Sequence, residues 1–251
     1  MTPYILAETG DYAVVFKPPK MHSAPLKKND SGTLYDWFVS QCAASEVELI
    51  HRLDFETHGL VLFAKNKRSR EHFKTLQDNG SFIKEYSAIC KNNICTNNIC
   101  KNDISVFTPP PGFPPAPNFI TARLPLQINS YFRPYGVGRK LVRPVVQDGK
   151  YKEIAKDKGG FYQTEIIKIN GNVFTVQIKR GFRHQIRCHL CWLGAPILND
   201  PLYSHPQEPD PTKIPALVEL ALQELALRAH ALFFTDPTSG EQCKHRIEPM
   251  K

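Results

Sequence analysis

Residues 51–65 read HRLDFETHGLVLFAK, a polar segment that gives way to an apolar one. The apolar end, residues 60–64, is short and continuous, which is typical of a buried strand. The polar end places Asp54 two residues after Arg52, and we predict that it forms the loop before that strand. Loops held by a strand commonly carry reactive groups. An aspartate near a guanidinium stays ionised and can act as a nucleophile or a base; the alternative is a structural Asp–Arg pair in a turn.

Outward from this stretch, the chain alternates short β-rich runs with a few helical ones. Asn170-Gly171 lies between two β-rich runs, which is a strong hairpin signal, and Thr33 is placed to cap a short helix. This succession predicts an α+β fold with a mixed, largely antiparallel central sheet and flanking helices. The predicted strands are residues 12–16, 60–64, 82–90, 161–169, 172–179 and 231–235; the predicted helices follow residue 33 and cover residues 67–77, 184–194 and 217–229.

The length of 251 residues suits one large domain or two intimate halves. Residues 91–121 contain the small repeat NNICTNNIC and a proline-dense run. We predict that they form a loop or ribbon connection in which the proline run is extended and exposed. Since no stretch has the composition of a domain linker, the whole chain, residues 1–251, is predicted to be a single domain.

The charge of the chain is unevenly distributed. Lys and Arg number 32 and Asp and Glu 24, which gives a net charge of +8. Between Arg123 and His189 there are 14 basic residues and only four acidic ones. A one-sided basic field attracts polyanions, of which nucleic acid is the obvious candidate. The alternative is a protein that is basic only for solubility.

Other compositional signals bear on location and metal binding. The N-terminus lacks the basic start and apolar run of a signal peptide, and no window approaches the ~18 apolar residues of a membrane span. The seven cysteines are an odd number, so we predict a cytoplasmic protein with reduced thiols. Cys90, Cys95 and Cys100 are five residues apart with no histidine nearby, which is not a zinc spacing; no metal is predicted.

A second polar cluster reads RGFRHQIR, residues 180–187, and places three arginines within eight residues. It lies where a predicted strand leads into a predicted helix. Guanidinium groups offer planar, forked donors that suit carboxylates and phosphates, and helix N-termini favour anions. The cluster is a candidate anion site; the alternative is a solvated basic helix start.

These segments resemble the RluA-type pseudouridine synthases. Residues 51–65 closely resemble the family signature HRLDxxTSGLLLFAK, and four further segments match in the family's order, so that the resemblance spans about residues 12–237. They are VVFKPPKMHSAP (14–25), like the Lys-Pro segment; KEYSAI (84–89), like the Lys-x-Tyr strand; RGFRHQIRCHLCWLGAPILNDPLYS (180–204), like GRTHQIRxHLxxxGxPIxGDxxYG; and ALRAHALFFTDP (226–237), like LxLHAxxLxFxHP.

The resemblance implies an α+β catalytic domain whose central sheet has a cleft that takes RNA. It implies the isomerisation of uridine to pseudouridine in structured RNA, ribosomal or transfer, by an enzyme that acts without cofactor or metal. The chain is also expected to act as a monomer. Many relatives carry an S4 RNA-binding domain before the Lys-Pro segment. Only 16 residues precede Lys17 here, so that domain is expected to be absent.

The resemblance also assigns roles to residues. Asp54 matches the catalytic aspartate, which would attack the nucleoside or abstract a sugar proton. Arg52 would enter the RNA stack as the target base leaves, Tyr86 would pack on the flipped base, and Arg187 would pair with the Asp54 carboxylate and help keep it ionised. Leu227 would line the pocket, with plain helix core as the alternative. The remaining residues expected to bind substrate are Lys84, Arg183 and His184.

Several departures from the family pattern bear on the RNA backbone contacts. His58 stands where the family usually has Ser, and Phe182 with Arg183 stand where it has Arg and Thr. Lys20 and Asn199 replace glycines. Two other functions remain as alternatives: an RNA-binding protein with little activity, and a glycosidase-like hydrolase, for which Glu56 is the only nearby second carboxylate.

Overall fold

The fold is taken from a computed structural model of the chain. It describes residues 1–27, 30–44, 46–91, 109–115, 124–146, 161–203 and 224–250. The helices in these ranges are α1 (Leu34–Gln41), α2 (Lys67–Asp78) and α3 (Gln185–Trp192). The strands are β1 (Tyr4–Glu8), β2 (Tyr12–Lys17), β3 (Glu48–Leu49), β4 (His58–Ala64), β5 (Ile83–Ile89), β6 (Leu126–Tyr135), β7 (Leu141–Val145), β8 (Tyr162–Asn170), β9 (Val173–Ile178), β10 (Leu227–Thr235) and β11 (Gln242–Arg246).

The described residues form two compact units. The first consists of Met1–Ser87 and Leu227–Met250, and the second of Ala88–Ala226. The sequence-based expectation of a single domain over residues 1–251 stays a prediction.

The first unit is built on strands in the order β1-β2-β4-β10-β5, with β3 paired to β4 and β11 to β10. The pairs β1–β2, β2–β4 and β10–β11 are antiparallel, whereas β4 and β10 run parallel. Helices pack beside these strands. The predicted α+β fold with a mixed, largely antiparallel sheet is therefore confirmed.

Strand β4 is buried along its whole length because both of its faces are covered. On one face, Leu60 and Leu62 pack in a cluster that includes Phe73 of α2. On the other, the ring of Phe63 lies 4.4 Å from the ring of Phe38 of α1. A strand covered on both faces is expected to be apolar throughout, and this explains why LVLFA lacks alternation.

Local sequence signals set the helix starts. Thr33 caps α1 as predicted: its side chain accepts a hydrogen bond from the backbone N–H of Asp36, and the Asp36 carboxylate accepts one from the Thr33 N–H at 3.0 Å. Asn66 caps α2 by accepting from the Ser69 N–H at 2.9 Å. These caps position the helices that cover β4.

The second unit is an antiparallel arrangement in the order β9-β8-β6-β7. The predicted hairpin at Asn170-Gly171 joins β8 and β9, and Gly171 has a φ of +57°. Helix α3 packs against β6 and β7 through a cluster of buried residues. Its members are Phe132, Val142, Tyr162, Cys188, Cys191 and Tyr203.

Two sequence-based expectations need correction. The helix predicted over residues 217–229 is wrong at its end, because Leu227–Ala229 begin β10, where Arg228 pairs with His58 of β4. Residues 217–223 lie outside the described ranges. The proline run, where described, is not simply extended: the Phe113 N–H donates to the Pro110 carbonyl at 3.2 Å, and Pro114 accepts from the Trp192 indole at 2.9 Å.

Most of residues 91–121, with Cys95 and Cys100, also lies outside the described ranges. Within those ranges, no helix combines the length and apolar character that crossing a membrane requires.

Candidate active site

The loop that carries Asp54 is anchored on both sides of the carboxylate. The buried hydroxyl of Ser23 donates to the Leu53 carbonyl at 2.9 Å and accepts from the Leu53 N–H at 3.0 Å. The Thr57 N–H donates to the Asp54 carbonyl at 3.1 Å, which closes a tight turn. Leu53 is buried, Asp54 is half-buried and Arg52 is exposed. The loop thus holds its backbone in place while leaving Asp54 partly accessible.

Lys17, at the end of β2, ties a second loop to this one. Its buried ammonium donates to the carbonyls of Pro18 at 2.9 Å, Met21 at 2.8 Å and Phe55 at 3.3 Å. Burial lowers the pKa of Lys17 to about 7, and the neighbouring Asp54 and Glu56 carboxylates act in the opposite direction. Lys17 is therefore a basic group beside Asp54 whose charge titrates near neutral pH. Lys17 was not among the site residues predicted from the sequence, although a lysine at the end of an apolar strand is an unusual signal.

Tyr86 and Lys84 lie two residues apart on β5, and both are buried. Burial raises the pKa of Tyr86, and the charge of Asp54 raises it further, which makes the ring and the carboxylate neighbours. Burial lowers the pKa of Lys84 to about 8, and its ammonium lies 4.8 Å from the Phe82 ring centroid. The first unit therefore places Tyr86, which the sequence singled out, and Lys17, which it did not, near Asp54; Lys84 lies on the same strand as Tyr86.

His58 links β4 to β10 where the family usually has Ser. It is buried, and its Nε2 accepts a hydrogen bond from Nε of Arg228 at 2.9 Å. Burial lowers the pKa of His58 to about 4, with the charges of Arg228 and Lys17 acting in the same direction. Leu227 is the buried first residue of β10, so the reading of Leu227 as helix core is wrong. His58 is therefore a neutral side chain that connects β4 to β10 through Arg228, close to the loop that carries Asp54.

In the second unit, Arg187 forms a buried bidentate pair with Asp200. Its Nε donates to Oδ2 at 2.8 Å and its Nη2 donates to Oδ1 at 2.7 Å. Asp200 also accepts from the N–H groups of Leu202 and Tyr203 at 2.9 and 3.1 Å. Asp200 was not predicted as a partner of Arg187 from the sequence; the expected pairing of Arg187 with Asp54 stays a prediction.

Arg183 and His184 precede α3 and differ in exposure. Arg183 is exposed and its Nη2 donates to the Arg139 carbonyl at 2.7 Å. His184 adopts a left-handed backbone conformation as the residue before α3, so it is not within the helix as predicted. Its Nδ1 lies 3.2 Å from the Tyr203 hydroxyl. Phe182, which stands where the family has Arg, stacks on Phe132 at 5.2 Å and serves as an apolar anchor for this segment.

A network of buried polar side chains that involves α3 was not predicted from the sequence. His189 Nε2 lies 2.8 Å from Ser130 Oγ, and His189 Nδ1 lies 2.7 Å from Thr164 Oγ1. The Gln185 amide donates to the same Thr164 hydroxyl at 3.1 Å, and its Oε1 accepts from the Phe182 N–H at 2.9 Å. This network of hydrogen bonds joins β6, β8 and α3, and it fixes the start of the helix that carries Arg187.

Comparison with known proteins identifies the family. Residues 11–192 match the family model described as RNA pseudouridylate synthase. The chain belongs to this family. The predicted RluA type is confirmed by relatives such as the ribosomal large subunit pseudouridine synthase D of Zymomonas mobilis, which is 25% identical over 246 residues, covering 95% of this chain and 66% of that protein.

Other similar proteins extend this result. An uncharacterized protein of Caenorhabditis elegans is 29% identical over 202 residues, covering 80% of this chain and 38% of that protein. The chain thus spans between 38% and 66% of the length of these two relatives. The solved structure of human RNA pseudouridylate synthase domain containing 1 superimposes with a TM-score of 0.62 at 18% identity, covering 98% of this chain and 83% of that one. It shares the pseudouridine synthase fold.

Two positions where the family has glycine adopt a backbone conformation that glycine favours. Lys20 and Asn199 have φ values of +57° and +59°, in the left-handed region that favours glycine. The turns that follow the Lys-Pro segment and precede Asp200 therefore have a glycine-like conformation.

Within the described ranges, no three His, Cys, Asp or Glu side chains are grouped to hold a metal ion. The site that the first unit offers is a partly accessible carboxylate beside a buried aromatic ring and a buried cation.

Proposed function

We propose that this chain isomerises uridine to pseudouridine in RNA and that Asp54 is its catalytic carboxylate. The proposal rests on the proximity of Asp54 and Tyr86. The chain that holds them belongs to the RNA pseudouridylate synthase family. A carboxylate can attack the nucleoside or remove a sugar proton. An adjacent aromatic ring can stack on the base that leaves the RNA stack. A protein that only bound RNA would need neither group in this position.

The reaction needs no co-substrate because the product is an isomer of the substrate. The N-glycosidic bond breaks, the uracil turns, and a bond forms between C5 of the base and C1′ of the sugar. The proton that leaves C5 is balanced by the proton gained at N1. Asp54 acts either on the sugar carbon or on a sugar proton, and both routes require its ionised form.

The other site residues have supporting roles in this proposal. Arg52, exposed on the same loop, enters the stack in place of the target base. Arg187 pairs with the carboxylate in addition to Asp200, and Arg183 and His184 contact the RNA backbone. Lys84 and Leu227 are buried, so they would shape the base pocket rather than meet phosphates.

The substrate we propose is structured RNA, ribosomal or transfer. The naming of a relative as a ribosomal large subunit pseudouridine synthase supports ribosomal RNA, and the basic region between Arg123 and His189 supports a polyanion in general. Also proposed are a single RNA-binding domain with a cleft, action as a monomer in the cytoplasm, and chemistry without metal or cofactor.

The test is to incubate the protein with RNA that carries tritium at C5 of uridine. Isomerisation must release tritium to water, because C5 exchanges its hydrogen for the bond to the sugar. Tritium release with pseudouridine in the digested RNA would support the proposal. Free uracil would identify a hydrolase instead, and RNA that is bound but unchanged would identify a binding protein.

A further inference from the structure

The turn between β6 and β7 presents an apolar side chain among cations. Val137 is 96% exposed, more than any other large apolar residue in the described ranges, where Met1 follows at 77%. Arg133, Arg139 and Lys140 beside it are exposed as well. Covering a fully exposed apolar side chain lowers the free energy. Val137 is therefore a candidate contact for a binding partner.

The turn has a fixed shape. Gly136 and Gly138 have φ values of +77° and +64°, and Arg139 has a φ of +53°. Non-glycine residues rarely adopt this conformation, and here two contacts hold it. The Arg139 N–H donates to the Gly136 carbonyl at 3.0 Å, and Arg183 donates to the Arg139 carbonyl at 2.7 Å. Val137 is therefore projected by a preformed turn that is tied to the segment before α3.

Nearby Arg143 differs from the cations of the turn because its guanidinium already contacts other residues of the protein. Its Nη1 donates to the Gly112 carbonyl at 2.7 Å, and its guanidinium lies 5.9 Å from the Tyr135 ring centroid. Arg139 and Lys140 are thus the cations placed closest in sequence to Val137 that remain directed to solvent.

We propose that this turn inserts Val137 between bases of the RNA while Arg139 and Lys140 contact the flanking phosphates. Nucleic acids place apolar base faces between phosphates, and apolar wedges that unstack bases are a known way to bind and bend them. A protein partner fits less well, because one valine is far smaller than the apolar core of a stable protein interface. The inference rests on the proposed function for the identity of the polyanion as RNA.

The test compares variants in their binding to a uridine-containing RNA stem-loop and to single-stranded oligouridine, each carrying 2-aminopurine as a stacking reporter. Val137→Ser should weaken binding about tenfold and abolish the rise in fluorescence that marks unstacking, without changing the salt dependence. Arg139→Gly keeps the left-handed backbone and removes only the side chain. It should flatten the slope of log K against log salt by about 0.7 on the single strand.

Val39→Ser is the matched control, since Val39 is an exposed valine on α1 in the first unit; it should change neither affinity nor fluorescence. Equal affinity and equal fluorescence for Val137→Ser and wild type would overturn the inference, as would the absence of RNA binding by the wild type. Tritium release separates the two proposals. Release by the wild type with no effect of Val137→Ser would overturn this inference alone; loss of binding and unstacking in Val137→Ser without release by the wild type would overturn the proposed function alone.

Discussion

Around Asp54, burial sets the charges of the neighbouring groups. Lys17 has a pKa near 7, so a cation beside the carboxylate is partly lost when the pH rises above neutral. Burial raises the pKa of Tyr86, so its hydroxyl stays protonated. The site therefore presents one anion, one titrating cation and one neutral ring, and each can be varied by a single substitution.

Tyr86→Phe and Tyr86→Leu should behave differently if the ring packs on the flipped base. Phe keeps the ring face and should retain most of the activity. Leu loses the face, and stacking is worth roughly 1–3 kcal/mol per base, which corresponds to a loss of about 5- to 150-fold. The measurement is RNA affinity together with the single-turnover rate. Identical values for the two variants would argue against stacking.

Arg187→Lys should impair both stability and activity despite the conserved charge. The buried contact with Asp200 uses two nitrogens of the planar fork, which lysine lacks. Removing one partner of a buried pair costs about 3–5 kcal/mol; we expect a smaller loss for Lys and the full loss for Arg187→Met, measured by urea unfolding. Activity of Arg187→Lys is then compared where the variant is still folded. A lysine variant as stable and active as wild type would show that diffuse charge suffices.

At the scale of elements, the site depends on the close approach of β4 and β10. Gly59 has a φ of +124°, and a Cβ placed there would lie 2.2 Å from the carbonyl oxygen and 2.6 Å from the nitrogen of Ala229. The parallel pairing that brings Arg228 to His58 therefore requires glycine at this position.

Gly59→Ala should destabilise the protein by about 3–5 kcal/mol or prevent folding, because the backbone of β10 would have to move. Gly171→Ala is the matched control: its φ is +57°, but nothing lies within 4 Å of the added carbon, so only the conformational cost of about 1–2 kcal/mol remains. Urea unfolding of both variants measures the difference. Equal losses would show that the β4–β10 contact is not tight.

Elements with strong local signals were predictable from the sequence, and elements defined by distant pairing were not. The Thr33 cap and the Asn170-Gly171 turn are local, and both were predicted correctly. β10 was partly mistaken for a helix because its first residues follow a helical apolar period, whereas pairing with β4 decides their conformation. The left-handed backbone of Lys20 has no signal in the residue itself, because lysine does not favour this conformation; only the glycine usual in the family at this position indicates it.

Across the whole molecule, the structural roles of the polar residues could be anticipated only in part. Asp54 and Tyr86 carry recognisable motifs. Lys17 and Asp200 act through partners that are distant in sequence, namely Phe55 and Arg187, so their roles required the fold. The same holds for His189, whose partners lie on β6 and β8.

Three buried histidines should make the folded protein sensitive to acid. Burial lowers the pKa of His58 to about 4, that of His189 to about 3, and that of His51 well below its ordinary value of 6.5. Above pH 6.5 these histidines are neutral in both states. As the pH falls from 6.5 toward 4, the unfolded chain takes up protons that the folded one does not, so stability falls by about 1.4 kcal/mol per pH unit for each histidine.

Urea unfolding at about pH 7 and about pH 5 measures this effect. His58→Ser, which restores the residue usual in the family, should reduce the loss of unfolding free energy between these pH values by the contribution of one histidine. A free energy of unfolding that is the same at both pH values would contradict the assignment of these side chains as neutral.

The most direct measurement for the proposed function is tritium release from C5-labelled uridine RNA by Asp54→Asn under single-turnover conditions. Glu56→Gln is the control, since it removes a carboxylate from the same loop. An amide can neither attack nor accept the proton, so Asp54→Asn should lose at least about a thousandfold in rate, roughly 4 kcal/mol, while its RNA affinity and fold persist and Glu56→Gln remains active. Turnover by Asp54→Asn near the wild-type rate would contradict the assignment of Asp54 as the catalytic carboxylate.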